Sequence, residues 1–167
     1  MYKRQAWQGA AAGVCLALHF ASWITSLSYL PVAVSVVLVT TSPIFTALLA
    51  RLTLKESLRR PQIAGMLLAG LGSLGMTPIN GVAAGPQAWK GCILALIGSV
   101  SIAVYFVLGK GCSQRSDWDW KNYLQWVYGW AALTLIAASL MMQVPLWGYS
   151  PRNWGFLLLL GLVPQGL

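Results

Sequence analysis

Between Arg4 and Arg51 the chain has no Lys, Arg, Asp or Glu, and apolar and small residues dominate the interval. As one helix, residues 5–50 would run about 69 Å, more than twice the ~30 Å hydrocarbon core of a bilayer. The stretch must therefore cross and return. The turn is placed at Tyr29-Leu30-Pro31, because proline opens a helix comfortably at its first turn and breaks one inside. This predicts a first membrane span over Ala6–Tyr29 and a second over Val32–Leu52. The same reasoning gives a third from Pro61 to the turn sequence Thr77-Pro78-Ile79-Asn80-Gly81, a fourth over Gly91–Gly109 and a fifth over Tyr123–Met142. Trp154–Leu167 is apolar but would cover only about 21 Å as a helix, so it reads as an incomplete sixth.

Composition excludes the soluble alternatives. Only 8% of the 167 residues are charged, where soluble domains carry about 25%. A soluble enzyme and a disordered tail are both excluded on that ground. The net charge of +8 could indicate a nucleic-acid partner, but its Lys and Arg punctuate apolar stretches instead of gathering on one face. No nucleic acid is expected; the partners expected are the lipid bilayer and a small-molecule substrate. Cys15, Cys92 and Cys112 match no metal or redox spacing, so no disulfide, metal or cofactor is predicted.

The charges instead report topology. If the spans alternate in direction, one side receives Lys3, Arg4, Arg51, Lys55, Arg59, Arg60, Lys110, Arg115 and Lys121, and the other only Lys90 and Arg152. Nine against two on short loops predicts a cytoplasmic N-terminus and cytoplasmic loops at 51–60 and 110–121. Trp7, Trp89, Trp118, Trp120, Trp147 and Trp154 fall near span ends, as an interfacial aromatic belt requires.

Within the five complete spans the side chain that titrates near neutral pH is His19. On a helix it shares a face with Ser22, Trp23 and Ser26. Two readings stand side by side: a water-accessible path lined by this stripe, or a histidine that hydrogen-bonds a neighbouring helix. A second face of the same span carries Gly9, Gly13, Ala17 and Ala21, a small-residue row that lets another helix approach. Gly65, Ala69 and Ser73 repeat this row in the third span, and Gly91, Ala95, Ser99 and Ala103 repeat it in the fourth.

In the second span, Thr40-Thr41-Ser42 precede Pro43, which leaves the Val39 carbonyl without its helical partner. A bend is predicted there, with Thr41 and Pro43 as substrate-path candidates or the bend as a static packing kink. Tyr105, Trp126 and Trp130 are aromatic candidates for a cavity lining, against a packing or lipid-contact role. The Lys55-to-Arg60 cluster reads as an interfacial charged turn. There is no HExxH, GxSxG, paired intramembrane carboxylate or phosphate-cradling loop, so no catalytic residue is assigned and the chain is not read as an enzyme.

Leu18-His19-Phe20 with Trp23, the turn Tyr29-Leu30-Pro31-Val32-Ala33, Ser42-Pro43-Ile44-Phe45-Thr46 and Leu54-Lys55-Glu56-Ser57-Leu58 form an ordered series. Together they resemble the drug/metabolite transporter superfamily, EamA type. The resemblance implies a ten-helix, all-α carrier of two five-helix inverted repeats, with the substrate path between the halves. Residues 1–79 would be the last three helices of the first repeat, 80–90 an external connection, and 91–167 the opening helices of the second. The chain would then be a fragment of a secondary transporter, a permease or exporter of small organic metabolites in an inner membrane. Alternatives are a non-transporting membrane scaffold and, lower, an intramembrane hydrolase. The small-residue rows also allow a homo-oligomer. Where the family reads Gly-Glu this chain has Lys55-Glu56, which is expected to keep the charge and lose the tight turn.

Overall fold

The first span ends where its own hydroxyls begin to compete with the helix ladder. In a computed structural model, which describes residues 2–57, 59–75, 85–114, 119–144 and 147–166, helix α1 covers Tyr2–Ser26. Three residues sooner than expected, the chain tightens into a turn in which the Tyr29 and Leu30 N–H groups both donate to the Ser26 carbonyl, at 3.0 Å each. Pro31 then caps α2, Val32–Val39, as its fixed φ allows.

At the predicted bend the helix is interrupted over Thr40 and Thr41, which keep right-handed φ and ψ. Helix α2 stops at Val39 and α3 starts at Ser42, with Pro43 inside the first turn of the new helix and not inside an old one. Proline tolerates the first turn because its missing N–H has no ladder partner there. The remaining helices are α4 (Arg60–Gly75), α5 (Ala88–Ser113), α6 (Trp120–Met141) and α7 (Pro151–Gly166). No strand occurs among the described residues.

Four segments are long and apolar enough to cross a membrane: Ala6–Ser26, Val32–Leu54 (α2 and α3 together), Ala88–Ser113 and Trp120–Met141. Helix α4 has 16 described residues, about 24 Å, and the turn expected at 77–81 lies outside the described residues, as does Trp118. Helix α7 begins three residues before the predicted Trp154.

The chain divides into two units, Met1–Leu135 and Ile136–Leu167. In the first, α5 is the central helix, packed against α1, α2 and α3. That position explains its composition: its buried residues are Gly91, Ala95, Gly98, Ser99, Ser101, Ala103, Val107 and Cys112, all small except Val107. Small side chains let three neighbours approach one helix without pushing each other apart.

The Gly9–Gly13 row is used in the same way. A Cβ at Gly9 would meet the Cβ of Trp126 at 2.6 Å, and one at Gly13 would meet Trp130 Cβ at 2.9 Å and the Ala131 nitrogen at 3.0 Å. The core around this contact joins Ala12, Leu16 and Ala17 to Tyr123, Val127 and Ala131. The row in α4 differs, since a Cβ at Gly65 would meet nothing within 4 Å. Leu67, Leu68 and Leu71 are likewise exposed, so this helix presents an apolar face without a partner among the described residues. In the second unit, the rings of Trp147 and Tyr149 pack beside that of Trp154 at the start of α7.

Candidate functional site

The polar residues of α1 are turned into the helix bundle. His19 is buried, and its Nδ1 lies 2.9 Å from the Gly98 carbonyl oxygen of α5. A carbonyl only accepts, so Nδ1 is the donor of this pair. The imidazole stacks on Trp23 at 5.8 Å and meets Phe20 edge-on at 5.0 Å. Gly98 makes this possible, since a Cβ there would sit 3.1 Å from Ser22 Oγ and 3.3 Å from the His19 carbonyl. Two turns beyond His19, Ser26 Oγ lies 2.6 Å from Ser35 Oγ of α2. The interhelical hydrogen bond weighed for His19 is therefore made.

The break between α2 and α3 is held by hydroxyls from both sides. Thr40 donates to the Val37 carbonyl at 2.9 Å and Thr41 to the Leu38 carbonyl at 2.6 Å. The Val39 carbonyl, the group Pro43 strips of its partner, accepts from Ser99 of α5 at 3.2 Å, and Ser99 Oγ also lies 3.1 Å from Thr41 Oγ1. The hydroxyl that reaches Val39 comes from a residue read in the sequence only as part of a packing row. Unsatisfied carbonyls in an apolar phase are costly, so the break is stable only with these donors.

Below the break lies a cavity of about 760 Å³. Helix α3 contributes Ser42, Pro43, Thr46, Ala47 and Ala50; α4 gives Gln62 and Met66; and α5 gives Phe106, Val107 and Lys110. Its outer rim is the α3–α4 loop, with Lys55, Glu56, Ser57 and Arg59. The volume falls within the range of small-molecule sites. A salt bridge crosses this rim: Lys110 Nζ donates to Glu56 Oε2, while Gln114 Nε2 donates to Oε1 at 3.1 Å. The hydrogen bond from Lys110 holds the Glu56 carboxyl below its usual pKa, with its charge and the Gln114 amide adding to the effect.

The loop keeps its tight turn, contrary to expectation. Lys55 takes the left-handed conformation, φ 56°, that a glycine would adopt, and its N–H caps the Ala50 carbonyl. Of the predicted path residues, Pro43 lines the cavity, while His19, Ser22, Ser26 and Thr41 make contacts within or between helices. Tyr105 packs against the α1–α6 core, and its neighbour Phe106 faces the cavity instead. Trp126 and Trp130 border a separate groove of about 420 Å³ formed along α6 alone. Sequence reasoning missed Thr46, Met66, Phe106 and Lys110. The signal was present, because Pro43, Thr46, Ala47 and Ala50 fall on one face of α3, and Phe106 and Lys110 on one face of α5.

No curated protein and no solved structure is significantly similar to the chain. Residues 3–77, which run through α1, α2, α3 and α4, match the EamA-like transporter family. With that match and its membrane-length apolar helices, the chain is a multi-pass membrane protein, helical among its described residues, in which residues 3–77 are similar to the EamA-like transporter family.

Proposed function

We propose that the chain is part of a secondary carrier, a permease or exporter of small organic metabolites, and that the cavity beside Pro43 is its substrate path. The observation that carries this reading is the coincidence of a broken membrane helix with a cavity of ligand size at the break. The cavity also lies where two repeats would meet, between α3 and α4 on one side and α5 on the other. In the whole carrier, residues 1–79 close the first five-helix repeat, 80–90 connect the repeats outside, and 91–167 open the second. The nine-to-two division of Lys and Arg supports cytoplasmic placement of the N-terminus and of the cavity's charged rim, in a prokaryotic-type inner membrane. The uncovered apolar face of α4 supports further helices or lipid against it. His19, Ser22, Ser26 and Thr41 then serve transport by fixing α1, α2 and α5 about the break.

The test is an untargeted measurement of metabolites inside and outside cells that overproduce the protein, against cells making Ala47→Trp, which fills the cavity. A carrier changes the distribution of at least one small organic compound, and Ala47→Trp abolishes the change. Identical distributions in both, matching cells without the protein, would favour the scaffold.

A further inference from the structure

We infer that the cavity takes an amphipathic organic anion: a small apolar body bearing one carboxylate or similar acid group. This rests on the carrier reading and deepens it by naming the substrate class. The lining is divided along its depth. The inner part is built from Pro43, Ala47, Met66, Phe106 and Val107, with the Ser42 and Thr46 hydroxyls among them. From Ser42 to the loop at Lys55 helix α3 rises roughly 20 Å, so the lining runs about the length of a small organic molecule from its inner end to its charged rim.

The rim is cationic beyond what topology demands. Lys55, Arg59 and Lys110 all line it, against the single carboxylate of Glu56. That carboxylate is engaged by Lys110 and Gln114. Among the described residues no carboxylate pairs with Lys55 or Arg59. Asp119, the other described acid, is turned to the Lys121 N–H and the Asn122 amide. Positive loop residues are a general membrane feature, but Arg51 and Arg60 satisfy that rule equally and lie off the lining. The Glu56–Lys110 bridge shows in addition that a rim cation can be positioned to meet a carboxylate. A cation would meet repulsion from Lys55 and Arg59.

The probes that test this are 2-naphthoate, 2-naphthamide and 2-naphthylmethylammonium, which share one apolar body and differ in charge. Their binding to the purified chain is measured by calorimetry in an uncharged maltoside detergent. Naphthoate should bind at least about tenfold more tightly than either analogue, the equivalent of ~1.4 kcal/mol. The double variant Lys55→Gln/Arg59→Gln should lose that preference while retaining naphthamide affinity. Lys121→Gln, which removes a cation away from the cavity, should retain it. Both altered rim side chains are solvent-exposed, so the variant is expected to fold, and unchanged naphthamide binding verifies it. Equal affinity for the three probes, or naphthoate affinity unchanged in the double variant, overturns the inference. Either result leaves the carrier reading intact, because that reading is decided by the metabolite distributions and not by this affinity.

Discussion

Replacing Gly13 by alanine should loosen the α1–α6 contact more than a single methyl added to any other described glycine. The added Cβ would lie 2.9 Å from Trp130 Cβ and 3.0 Å from the Ala131 nitrogen, and closer still to the Val127 carbonyl oxygen. Two of these three atoms are backbone, so no side-chain rotation relieves them. The helices must part until each contact reaches the 3.4 Å at which ordinary van der Waals packing begins. Overpacking of this kind costs about 1–3 kcal/mol. Parting also opens the row that Ala12, Leu16 and Ala17 share with Tyr123, Val127 and Ala131, where close approach is the source of adhesion. Cys112, 1% exposed and in the same cluster, is a natural reporter. In a background with Cys15 and Cys92 changed to serine, its reaction with a thiol dye during heating in detergent follows the opening of this core. Gly13→Ala should react at a clearly lower temperature than the parent, and Gly65→Ala, whose Cβ meets nothing within 4 Å, should not. Coincident curves for Gly13→Ala and Gly65→Ala would refute the reasoning.

Two further outcomes concern the rim. Lys55 holds a left-handed conformation at a cost of about 1–2 kcal/mol, of which glycine's greater freedom in the unfolded chain returns roughly 0.5–1. Lys55→Gly should therefore raise thermal stability slightly in the same dye assay, while lysine-to-alanine at this position should not. Because the folded pKa of Glu56 is lowered, its bridge contributes fully above the ordinary glutamate value near ~4.3 and is lost as pH falls through the lowered folded value. The parent should lose melting temperature on acidification through that interval more steeply than Glu56→Gln, and parallel pH curves would count against the bridge.

Most of the helix pattern was legible in the sequence because the bilayer enforces it. Charge-free runs must be spans, and proline and glycine must mark their ends. The small-residue rows at Gly9–Gly13 and Gly91–Ala103 were legible for a similar reason, since their spacing has few uses other than close packing. The break at Thr40–Thr41 was half legible. Pro43 announced a defect, but its conversion into a new helix start depends on Ser99, which is 60 residues away from Val39 in sequence. His19 stood out as a titratable group in an apolar span, yet only the three-dimensional position of Gly98 shows which helix it bonds. The cavity was the least legible element. Its lining alternates alanines, a methionine and a phenylalanine from three helices, residues that look like ordinary membrane sequence one span at a time. Lys55 misled for a conformational reason, because lysine can occupy the left-handed turn when a carbonyl such as that of Ala50 rewards it.

The central claim is that a water-filled path enters the protein along the broken helix. Thr46 lines the cavity, while Leu48, only two residues on, lies off its lining and is exposed over 53% of its surface in the isolated chain. In a membrane the account places Leu48 against lipid or another helix and Thr46 against water. In a background without native cysteines, Thr46→Cys should therefore react with a charged, membrane-impermeant thiosulfonate added on the side of the 55–59 loop, and Leu48→Cys should not. Reaction at Leu48→Cys with Thr46→Cys silent would contradict the account.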